Sequence, residues 1–312
     1  MEIIRGLHNL RPCHHGCVAT IGNFDGVHLG HQQVLGQLAE KSAEYGVPTT
    51  IITFEPQPQE WFSPERAPPR LTRFREKVDA LRRYTVDKLL CLRFNQALGE
   101  MTAEAFIEEV LVKGLGIRYL VVGDDFRFGQ GRRGDFAMLH QAGIVHHFPV
   151  ASMHTFLIDH QRVSSTRVRQ ALAQGQLDEA AKLLGRPYRL CGRVAHGDKR
   201  GRQLGFPTAN LFLRRHAIPI SGVYGVELFG LMDEPLPGVA NIGLRPTIGG
   251  NRPLLEVHLL DFTGDIYGYH VEVDFLYKIR EERRFPSLAD LTQQIHQDIQ
   301  QARGFFAEQR AC

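Results

Sequence analysis

The stretch Thr20-Ile21-Gly22-Asn23-Phe24-Asp25-Gly26-Val27-His28-Leu29-Gly30-His31 indicates how the first half of the chain folds. An apolar run from Cys17 to Ile21, typical of a buried strand, ends within this stretch. A helical pattern begins after the stretch, at Gln32. His28 and His31 therefore lie beside the first free backbone N–H groups of a helix, where unpaired donors and the helix dipole attract anions. The glycines of the stretch let backbone approach a phosphate closely. We predict a nucleotide site at the end of the first strand of an α/β domain.

Two histidines three residues apart also suit a metal site, or have no role beyond starting a helix. The nearby Cys13-His14-His15-Gly16-Cys17 cluster offers thiolates, and protein-bound metals normally need three or four ligands. This cluster precedes the strand, however, whereas His28 and His31 follow it, at the opposite strand end. We interpret the cluster as an exposed loop.

Strand and helix signals alternate along the first half of the chain. The predicted strands are residues 18–21, 49–54, 88–92, 119–122 and 144–150, and the predicted helices are 32–45, 74–84 and 103–113. Such alternation predicts a parallel sheet with right-handed crossovers, whose ligands sit beyond the carboxyl ends of the strands. The loops of residues 22–31, 55–62 and 123–131 fall at those ends.

Two further segments suit a nucleotide site. In Val163-Ser164-Ser165-Thr166-Arg167-Val168-Arg169, a Ser/Thr group precedes a predicted helix over residues 167–173 and can cap it. Its two arginines oppose the helix dipole unless an anion lies nearby, which favours phosphate binding over an ordinary cap. The loop Gly123-Asp124-Asp125-Phe126-Arg127-Phe128-Gly129 can hold a planar ring, or it is a plain turn with two core phenylalanines.

The pattern changes near residues 184–187, beyond which helix signals fade. Short strands are predicted at residues 188–194, 222–229, 238–242, 254–261 and 270–275, and they indicate a compact antiparallel barrel. One long helix closes the chain, with Ser287 and Asp290 as its predicted cap. Leu291, Ile295 and Ile299 line one face of this helix.

The start of the barrel region contains a second candidate site. Residues 192–210 are dense in glycine and basic residues, which suits a phosphate flap, although the segment lacks the ending of a Walker A loop. Thr208 and Asn210 point to the same side of an extended segment and could help hold Mg²⁺. Glu256, on a predicted strand, could act as a general base. The alternatives are a basic surface hairpin or a nucleic-acid patch for residues 192–210, and a surface glutamate for Glu256.

Composition limits the class of protein. The chain has 312 residues, 43% hydrophobic and 23% charged, which is ordinary for a soluble globular protein with two domains. Its apolar runs are too short for a membrane span, and its first residues lack a signal-peptide pattern. Five scattered cysteines favour a reducing cytoplasm. A net charge of +3 suits an anionic small ligand as well as nucleic acid.

Six motifs in order resemble the bacterial bifunctional riboflavin kinase and FAD synthetase family over nearly the whole length. GNFDGVHLGH, GDDFRFG and VSSTRVR look like its FMN adenylyltransferase module, and GRQLGFPTAN, NIGLRPT and LEVHLLDF look like its riboflavin kinase module. The resemblance implies an α/β fold: a Rossmann-like nucleotidyltransferase domain over residues 1–185, with a parallel sheet and helices on both faces. A six-stranded antiparallel β-barrel with a C-terminal helix would follow over residues 186–312.

The resemblance also implies roles for individual residues. His28 and His31 would be catalytic in adenylyl transfer, and Glu256 would be the base for the ribityl 5′-hydroxyl. ATP and its phosphates would contact Gly22, Asn23, Phe24, Asp25, His28, His31, Ser165, Thr166 and Arg169. The flavin would lie near Phe54, Pro56, Phe62, Asp125, Phe126 and Phe128. The kinase would bind Mg²⁺ and ATP through Gly201, Gly205, Pro207, Thr208 and Asn210. Thr208 and Asn210 would be the metal ligands, and Arg280 would lie near riboflavin. Many relatives have Asn where this chain has Asp125.

The implied activity is a pair of reactions. ATP phosphorylates riboflavin to FMN with Mg²⁺, and ATP then adenylylates FMN to FAD with release of pyrophosphate. We expect small-molecule substrates only, with no nucleic acid, membrane or obligate protein partner, and leave self-association open. The rival hypotheses are an adenylyltransferase with a non-catalytic barrel, a class I tRNA synthetase-like protein, and a flavin- or nucleic-acid-binding regulator. The lack of a Lys-Met-Ser-Lys-Ser-like loop argues against the synthetase.

Overall fold

The computed structural model describes residues 1–153, 156–197, 205–213, 215, 217–247 and 250–311. The chain forms two compact units, one of Met1–Pro68 with Phe74–Ser164 and the other of Pro69–Arg73 with Ser165–Cys312. The predicted domain boundary at residue 185 stays a prediction. The compact second unit also contains the helical residues that precede this boundary.

The first unit is built on a six-stranded sheet in which every pair of neighbouring strands is parallel, in the order β1-β4-β3-β2-β5-β6. Its strands are β1 (Glu2–Arg5), β2 (Val18–Ile21), β3 (Thr49–Glu55), β4 (Lys88–Arg93), β5 (Tyr119–Gly123) and β6 (Val150–Met153). The chain runs outward from β2 in one direction through β3 and β4, and in the other through β5 and β6. The carboxyl ends of β2 and β5 therefore flank the point where an open α/β sheet binds ligands.

Helices of the first unit connect these strands. They are α1 (Leu29–Tyr45), α2 (Pro58–Phe62), α3 (Phe74–Leu81), α4 (Gln96–Glu100), α5 (Ala103–Phe106), which continues as a π-helical turn (Ile107–Val112), and α6 (Phe136–His146). A two-stranded hairpin of β7 (Leu157–Ile158) and β8 (Gln161–Arg162) follows β6. The predicted parallel sheet is confirmed.

Alternate side chains of each strand pack under different helices. On β2, Val18 packs with Leu38 of α1, whereas Ala19 and Ile21 belong to the cluster that contains Phe106 of α5. These side chains are 5% exposed or less. Burial on both faces explains why the strands are continuous apolar runs. Helices on both faces of the sheet are thus confirmed.

One predicted strand is wrong. Residues 144–146 end helix α6, whose cap residue His147 is left-handed at φ 61°, and β6 starts only at Val150. Ile144 and Val145 are mostly exposed, whereas Phe148 is buried and its N–H donates to the Gly143 carbonyl. A short apolar run suits either a helix end or a strand, and here the burial of Phe148 fixes the turn between them.

The second unit is a closed antiparallel barrel of six strands in the order β10-β13-β12-β11-β14-β9. Two helices precede the barrel, α7 (Ser165–Ala173) and α8 (Leu177–Leu184). The strands are β9 (Tyr188–Ala195), β10 (Ala209–Phe212), β11 (Gly222–Phe229), β12 (Leu236–Thr247), β13 (Gly250–Leu259) and β14 (His270–Arg280). The predicted six-stranded barrel is confirmed.

The last helix, α9 (Leu288–Ala311), covers one side of the barrel. Its predicted cap is confirmed, because the Ser287 hydroxyl accepts from the Asp290 N–H at 3.1 Å. Ile295 and Ile299 pack against the barrel, as the helical spacing predicts. A charged pair joins the two elements: the Arg280 guanidinium donates to both carboxylate oxygens of Asp298, at 3.0 Å from Nε and 2.8 Å from Nη2.

We expect Asp298→Ala to destabilise the protein by about 3 kcal/mol, because it leaves Arg280 partly buried without its carboxylate. Asp298 is 2% exposed. Urea denaturation of the full chain measures the loss in free energy of unfolding. The matched control is Arg303→Gln, which removes the exposed ion pair between Arg303 and Asp261 and should cost much less. Equal losses for both variants would contradict the assignment.

Candidate active sites

The turn after β2 is held in an unusual backbone conformation. Phe24, Gly26 and Val27 have φ angles of 49°, 84° and 46°, in the left-handed region that costs energy for residues with a β-carbon. The side chains of Phe24 and Val27 are buried in a cluster with Leu35 of α1, which holds the turn in place. The turn is thus a rigid platform at the carboxyl end of the sheet.

His28 is the N-cap of helix α1. Its Nδ1 accepts the backbone N–H of His31 at 3.3 Å, and the two imidazole rings stack with their centroids 3.7 Å apart. Gly30 makes room for this arrangement, since a β-carbon there would lie 3.3 Å from the His28 ring and 3.4 Å from the Val163 carbonyl. Because Nδ1 accepts, a neutral His28 carries its proton on Nε2, which can donate to an anion.

His31 packs beside Phe24, with ring centroids 4.9 Å apart. Its Nδ1 is buried and has no hydrogen-bond partner among the described residues, and the same holds for Asn23 Oδ1. Burial lowers the pKa of His31 well below its usual value, and the nearby His28, Lys77 and Arg162 lower it further. His31 is therefore neutral at neutral pH, in a region where cations favour an anionic ligand.

Two basic residues that the sequence analysis missed contribute to this site. Lys77 of α3 is fully buried, and its Nζ donates to Thr53 Oγ1 of β3 at 3.4 Å. Arg162 of β8 donates to Asp125 Oδ1 at 2.8 Å. The position of Arg162 just before the Val163–Arg169 motif was a usable signal, whereas nothing local marks Lys77. Both residues contribute to the field at His31.

Side chains of the loop after β5 lie in two places, some at the candidate site and others in the core of the unit. The hydrogen bond from Arg162 lowers the pKa of Asp125, so this carboxylate stays charged. Phe126 and Phe128 stack with centroids 5.6 Å apart. Phe128 is 7% exposed and packs on Phe106 in the core of the unit. Its predicted place in the flavin-side loop is untested, and its packing explains its apolar character by itself.

The loop after β3 presents aromatic surface. Phe54 and Phe62 both contact Phe94 edge to face, with centroids 5.9 and 5.5 Å from it. Phe62 is 63% exposed and Trp61 is 45% exposed. The Glu55-Pro56 peptide bond is cis. Of these residues, Phe54, Pro56 and Phe62 are the ones predicted to face the flavin.

Ser165, Thr166 and Arg169 belong to the second compact unit. Helix α7 begins at Ser165, so Ser165 and Thr166 lie in its first turn, whereas the sequence analysis placed them before the helix. Arg169 Nε donates to the Pro69 carbonyl at 2.6 Å. Their predicted role in binding phosphate stays a prediction.

The barrel carries a row of three polar side chains across adjacent strands. Glu256 of β13 pairs in register with Asn210 of β10 on one side and with Asn241 of β12 on the other. Directly paired residues point to the same face of a sheet, so the three side chains are neighbours. The Asn241 amide donates to Glu256 Oε2 at 3.5 Å. Glu256 is partly exposed, which leaves its carboxylate accessible to a substrate.

A cavity of about 230 Å³ adjoins this row, lined by Pro207, Thr208 and Asn210 on one side and by Phe262 and Tyr267 on the other. The Asn210 amide donates to the Thr208 carbonyl at 3.3 Å. Gly197 allows this close approach, because a β-carbon there would lie 2.5 Å from the Asn210 amide nitrogen. Thr208 and Asn210, which the sequence predicts to help hold Mg²⁺, thus line the same cavity as apolar side chains.

The remaining residues predicted for the kinase site are Gly201, Gly205 and Arg280. Gly205 has a left-handed φ of 86°, as a turn requires, and Gly201 lies outside the described residues. Arg280 bonds Asp298 of α9, so it has a structural partner, and its predicted place near riboflavin is untested. No group of three or more His, Cys, Asp or Glu side chains in the described ranges could hold a metal.

Thr208 and Asn210 nevertheless fit Mg²⁺. This ion prefers oxygen ligands and is usually bound through few protein groups together with substrate phosphates. The Asn210 amide uses its nitrogen toward the Thr208 carbonyl, which leaves its oxygen as the free end of the side chain. Side chains with the oxygen donors that Mg²⁺ prefers thus line the cavity.

We expect the stability of the protein to fall on mild acidification, partly because of His31. Its pKa is lowered in the folded state, so below about pH 6.5 the unfolded chain binds more protons and stability falls by up to about 1.4 kcal/mol per pH unit. His31→Gln should therefore lose less in thermal midpoint than the unmodified chain between pH 7.5 and 5.5. The exposed His140→Gln is the control. A drop in His31→Gln as large as in the unmodified chain would refute this.

Comparisons with known proteins show the family to which each part of the chain is similar. A family model described as FAD synthetase matches residues 10–167, and one described as riboflavin kinase matches residues 184–306. No helix in the described part of the chain is long and apolar enough to cross a membrane. The solved structure of a protein named as a macrolide-efflux protein from Streptococcus pneumoniae matches with a TM-score of 0.83 at 30% identity, over 97% of this chain and 99% of that one.

Curated relatives match over nearly their whole length. The bifunctional riboflavin kinase/FMN adenylyltransferase of Escherichia coli K12 is 52% identical over 307 residues, 98% of each chain. The Pseudomonas fluorescens protein of the same name is 52% identical, also over 98% of each chain, and that of Haemophilus influenzae is 49% identical, over 98% of this chain and 99% of its own. The chain therefore belongs to the bifunctional riboflavin kinase/FMN adenylyltransferase family.

Proposed function

We propose that the two activities of this family are carried out at two separate sites on the chain. The enzyme phosphorylates riboflavin to FMN with ATP and adenylylates FMN to FAD with ATP. Adenylyl transfer is assigned to the turn between β2 and α1. Phosphorylation is assigned to the barrel cavity beside Glu256. The rival hypotheses of a single-activity enzyme and of a non-catalytic regulator do not account for the two activities that the chain's family combines.

Adenylyl transfer rests on one observation, the bond from the His31 N–H to His28 Nδ1. An oxygen of the FMN phosphate attacks the α-phosphorus of ATP, and the bond to pyrophosphate breaks. Negative charge builds on the α-phosphate oxygens and on the leaving group. His28 Nε2–H and the first N–H groups of α1 are held ready to donate to that charge, which costs no reorganisation during the reaction.

The other groups of the first site hold substrate. Neutral His31 donates to phosphate through its proton-bearing nitrogen, and Arg162 adds a cation for the triphosphate. Asn23, Phe24 and Asp25 shape the turn around it. Ser165, Thr166 and Arg169 are proposed to complete phosphate binding, on the sequence pattern alone. Gly22 lets the backbone approach the phosphate closely. Phe54, Pro56 and Phe62 are proposed to contact the flavin.

Phosphorylation rests on the row of Asn210, Glu256 and Asn241 beside the cavity. Glu256 accepts the proton of the ribityl 5′-hydroxyl as its oxygen attacks the γ-phosphorus of ATP, and ADP leaves. Asn241 orients the Glu256 carboxylate through its amide. Thr208 and Asn210 would hold Mg²⁺, which when bound offsets charge on the phosphates.

The cysteines of the chain indicate the compartment in which the enzyme works. The described cysteines Cys13, Cys17, Cys91 and Cys191 form no disulfide bond with one another, which supports a reducing compartment such as the cytoplasm. Flavins and ATP are its small-molecule substrates. The expected absence of nucleic-acid, membrane and obligate protein partners stays a prediction.

We expect His28→Asn to lower kcat/KM for FAD formation by about 100-fold to 1000-fold, because it removes a donor to the developing charge. Riboflavin phosphorylation should stay within about twofold, as expected for a change at a separate site. Chromatography of flavins, with FMN supplied directly, measures the first rate, and riboflavin with ATP and Mg²⁺ measures the second. The exposed His140→Asn is the control. A parallel fall in both activities would argue against separate sites.

We expect Glu256→Gln to lower FMN formation by about 100-fold to 10,000-fold, because the amide cannot accept the hydroxyl proton. FAD formation from supplied FMN should be unaffected. The same chromatographic assay follows both products, and the exposed Glu234→Gln is the matched control in the same unit. FMN formation at the unmodified rate would show that Glu256 is not the base.

A further inference from the structure

The loop after β3 contains a buried amide that neither proposed reaction uses. The Gln57 side chain is 6% exposed, and its Nε2 has no hydrogen-bond partner among the described residues. Burying an amide donor without an acceptor is costly, so such groups in folded proteins call for an explanation. A ligand that supplies the acceptor is one explanation.

The backbone of Gln57 is fully engaged. Its N–H donates to Glu60 Oε2 at 2.9 Å, and its carbonyl accepts from the N–H groups of Glu60 and Trp61. Pro56 precedes it, which restricts the backbone of the loop further. Gln57 thus begins helix α2 at a fixed position at the carboxyl end of β3, the end at which parallel sheets bind ligands.

Aromatic side chains that follow Gln57 in the chain are exposed. Trp61 and Phe62, on the same short helix, are 45% and 63% exposed, and Phe62 lies edge to face against Phe94. Exposed aromatic surface beside a buried amide donor suits a flat ring system that has one apolar face and a polar edge. Phosphate would instead call for a charged donor.

Of the two substrates, FMN fits these features better than ATP. Isoalloxazine is a three-ring system with two carbonyl oxygens on its pyrimidine edge, and each can accept from an amide N–H. Adenine is smaller and presents ring nitrogens and an amino donor. We propose that Gln57 Nε2 donates a hydrogen bond to a pyrimidine-edge carbonyl of FMN, which makes Gln57 a specificity-determining residue of adenylyl transfer. The proposal rests on the assignment of that reaction to the first unit.

The test is Gln57→Leu, which removes the amide at similar volume. The KM for FMN in FAD formation should rise about threefold to tenfold with kcat unchanged, because a neutral hydrogen bond that binds substrate and transition state alike is lost. The KM for ATP and the riboflavin kinase activity should not change. The exposed Gln59→Leu on the same helix is the matched control.

Two further readouts separate ligand recognition from a structural role. In the unmodified enzyme, 2-thio-FMN or 4-thio-FMN should bind more weakly than FMN, because sulfur is a poor acceptor, and Gln57→Leu should no longer distinguish that analogue from FMN. The thermal midpoint of ligand-free Gln57→Leu should fall by a few degrees at most, since the substitution removes an unpaired buried N–H together with the side chain's part in the capping box of α2.

Several outcomes would overturn the proposal. These are an unchanged KM for FMN, a rise in the KM for ATP instead, a thermal midpoint without ligand that falls by much more than a few degrees, or the same thio-analogue penalty in both proteins. The His28→Asn variant tells this failure from failure of the proposed function. If His28→Asn abolishes FAD formation while Gln57→Leu leaves the KM for FMN unchanged, only the inference on Gln57 fails.

Discussion

The bond from the His31 backbone N–H to His28 Nδ1 is the constraint on which the first unit depends. It caps helix α1, ends the strained turn after β2 and sets the tautomer of the imidazole that we propose donates to phosphate. Phe24 and Val27 remain left-handed only because their side chains are buried in the core. Helix capping and core packing therefore depend on the same turn, and so does the proposed stabilisation of charge. A change to the turn should affect all three.

The second unit builds its site from strand register rather than from a turn. Asn210, Glu256 and Asn241 are neighbours because β10, β13 and β12 pair in one register. A shift of β13 by one residue against its neighbouring strands would point Glu256 into the barrel interior. The fully buried side chains of Leu255 and Val257 lie there in the structure. Barrel closure leaves no free edge for such a slip to propagate, and α9 covers one side. The position of the proposed base thus depends on the whole barrel.

Local patterns predicted most of the fold. The strands at 18–21, 49–54, 88–92 and 119–122 were right to within one residue, because buried parallel strands are continuous apolar runs between turns. The same reasoning failed at 144–150, where Phe148, rather than the apolar pattern, decides the end of α6. The turn after β2 and the helix that follows it were predicted because their residues are contiguous, but the helix begins at Leu29 rather than at Gln32. The left-handed backbone of Phe24 and Val27 was not predicted.

The sequence by itself determined the fold class, the order of the two modules and the adjacency of His28 and His31 to a helix start, because periodicity and short-range spacing encode these features. Only the tertiary structure decided that Lys77 and Arg162 act on His31 and that Arg280 is bound to Asp298. It also decided that Gln57 Nε2 is buried with no acceptor in the part of the chain that the structure describes. The physical reason is that burial and pairing depend on residues far apart in the chain, which no local pattern records.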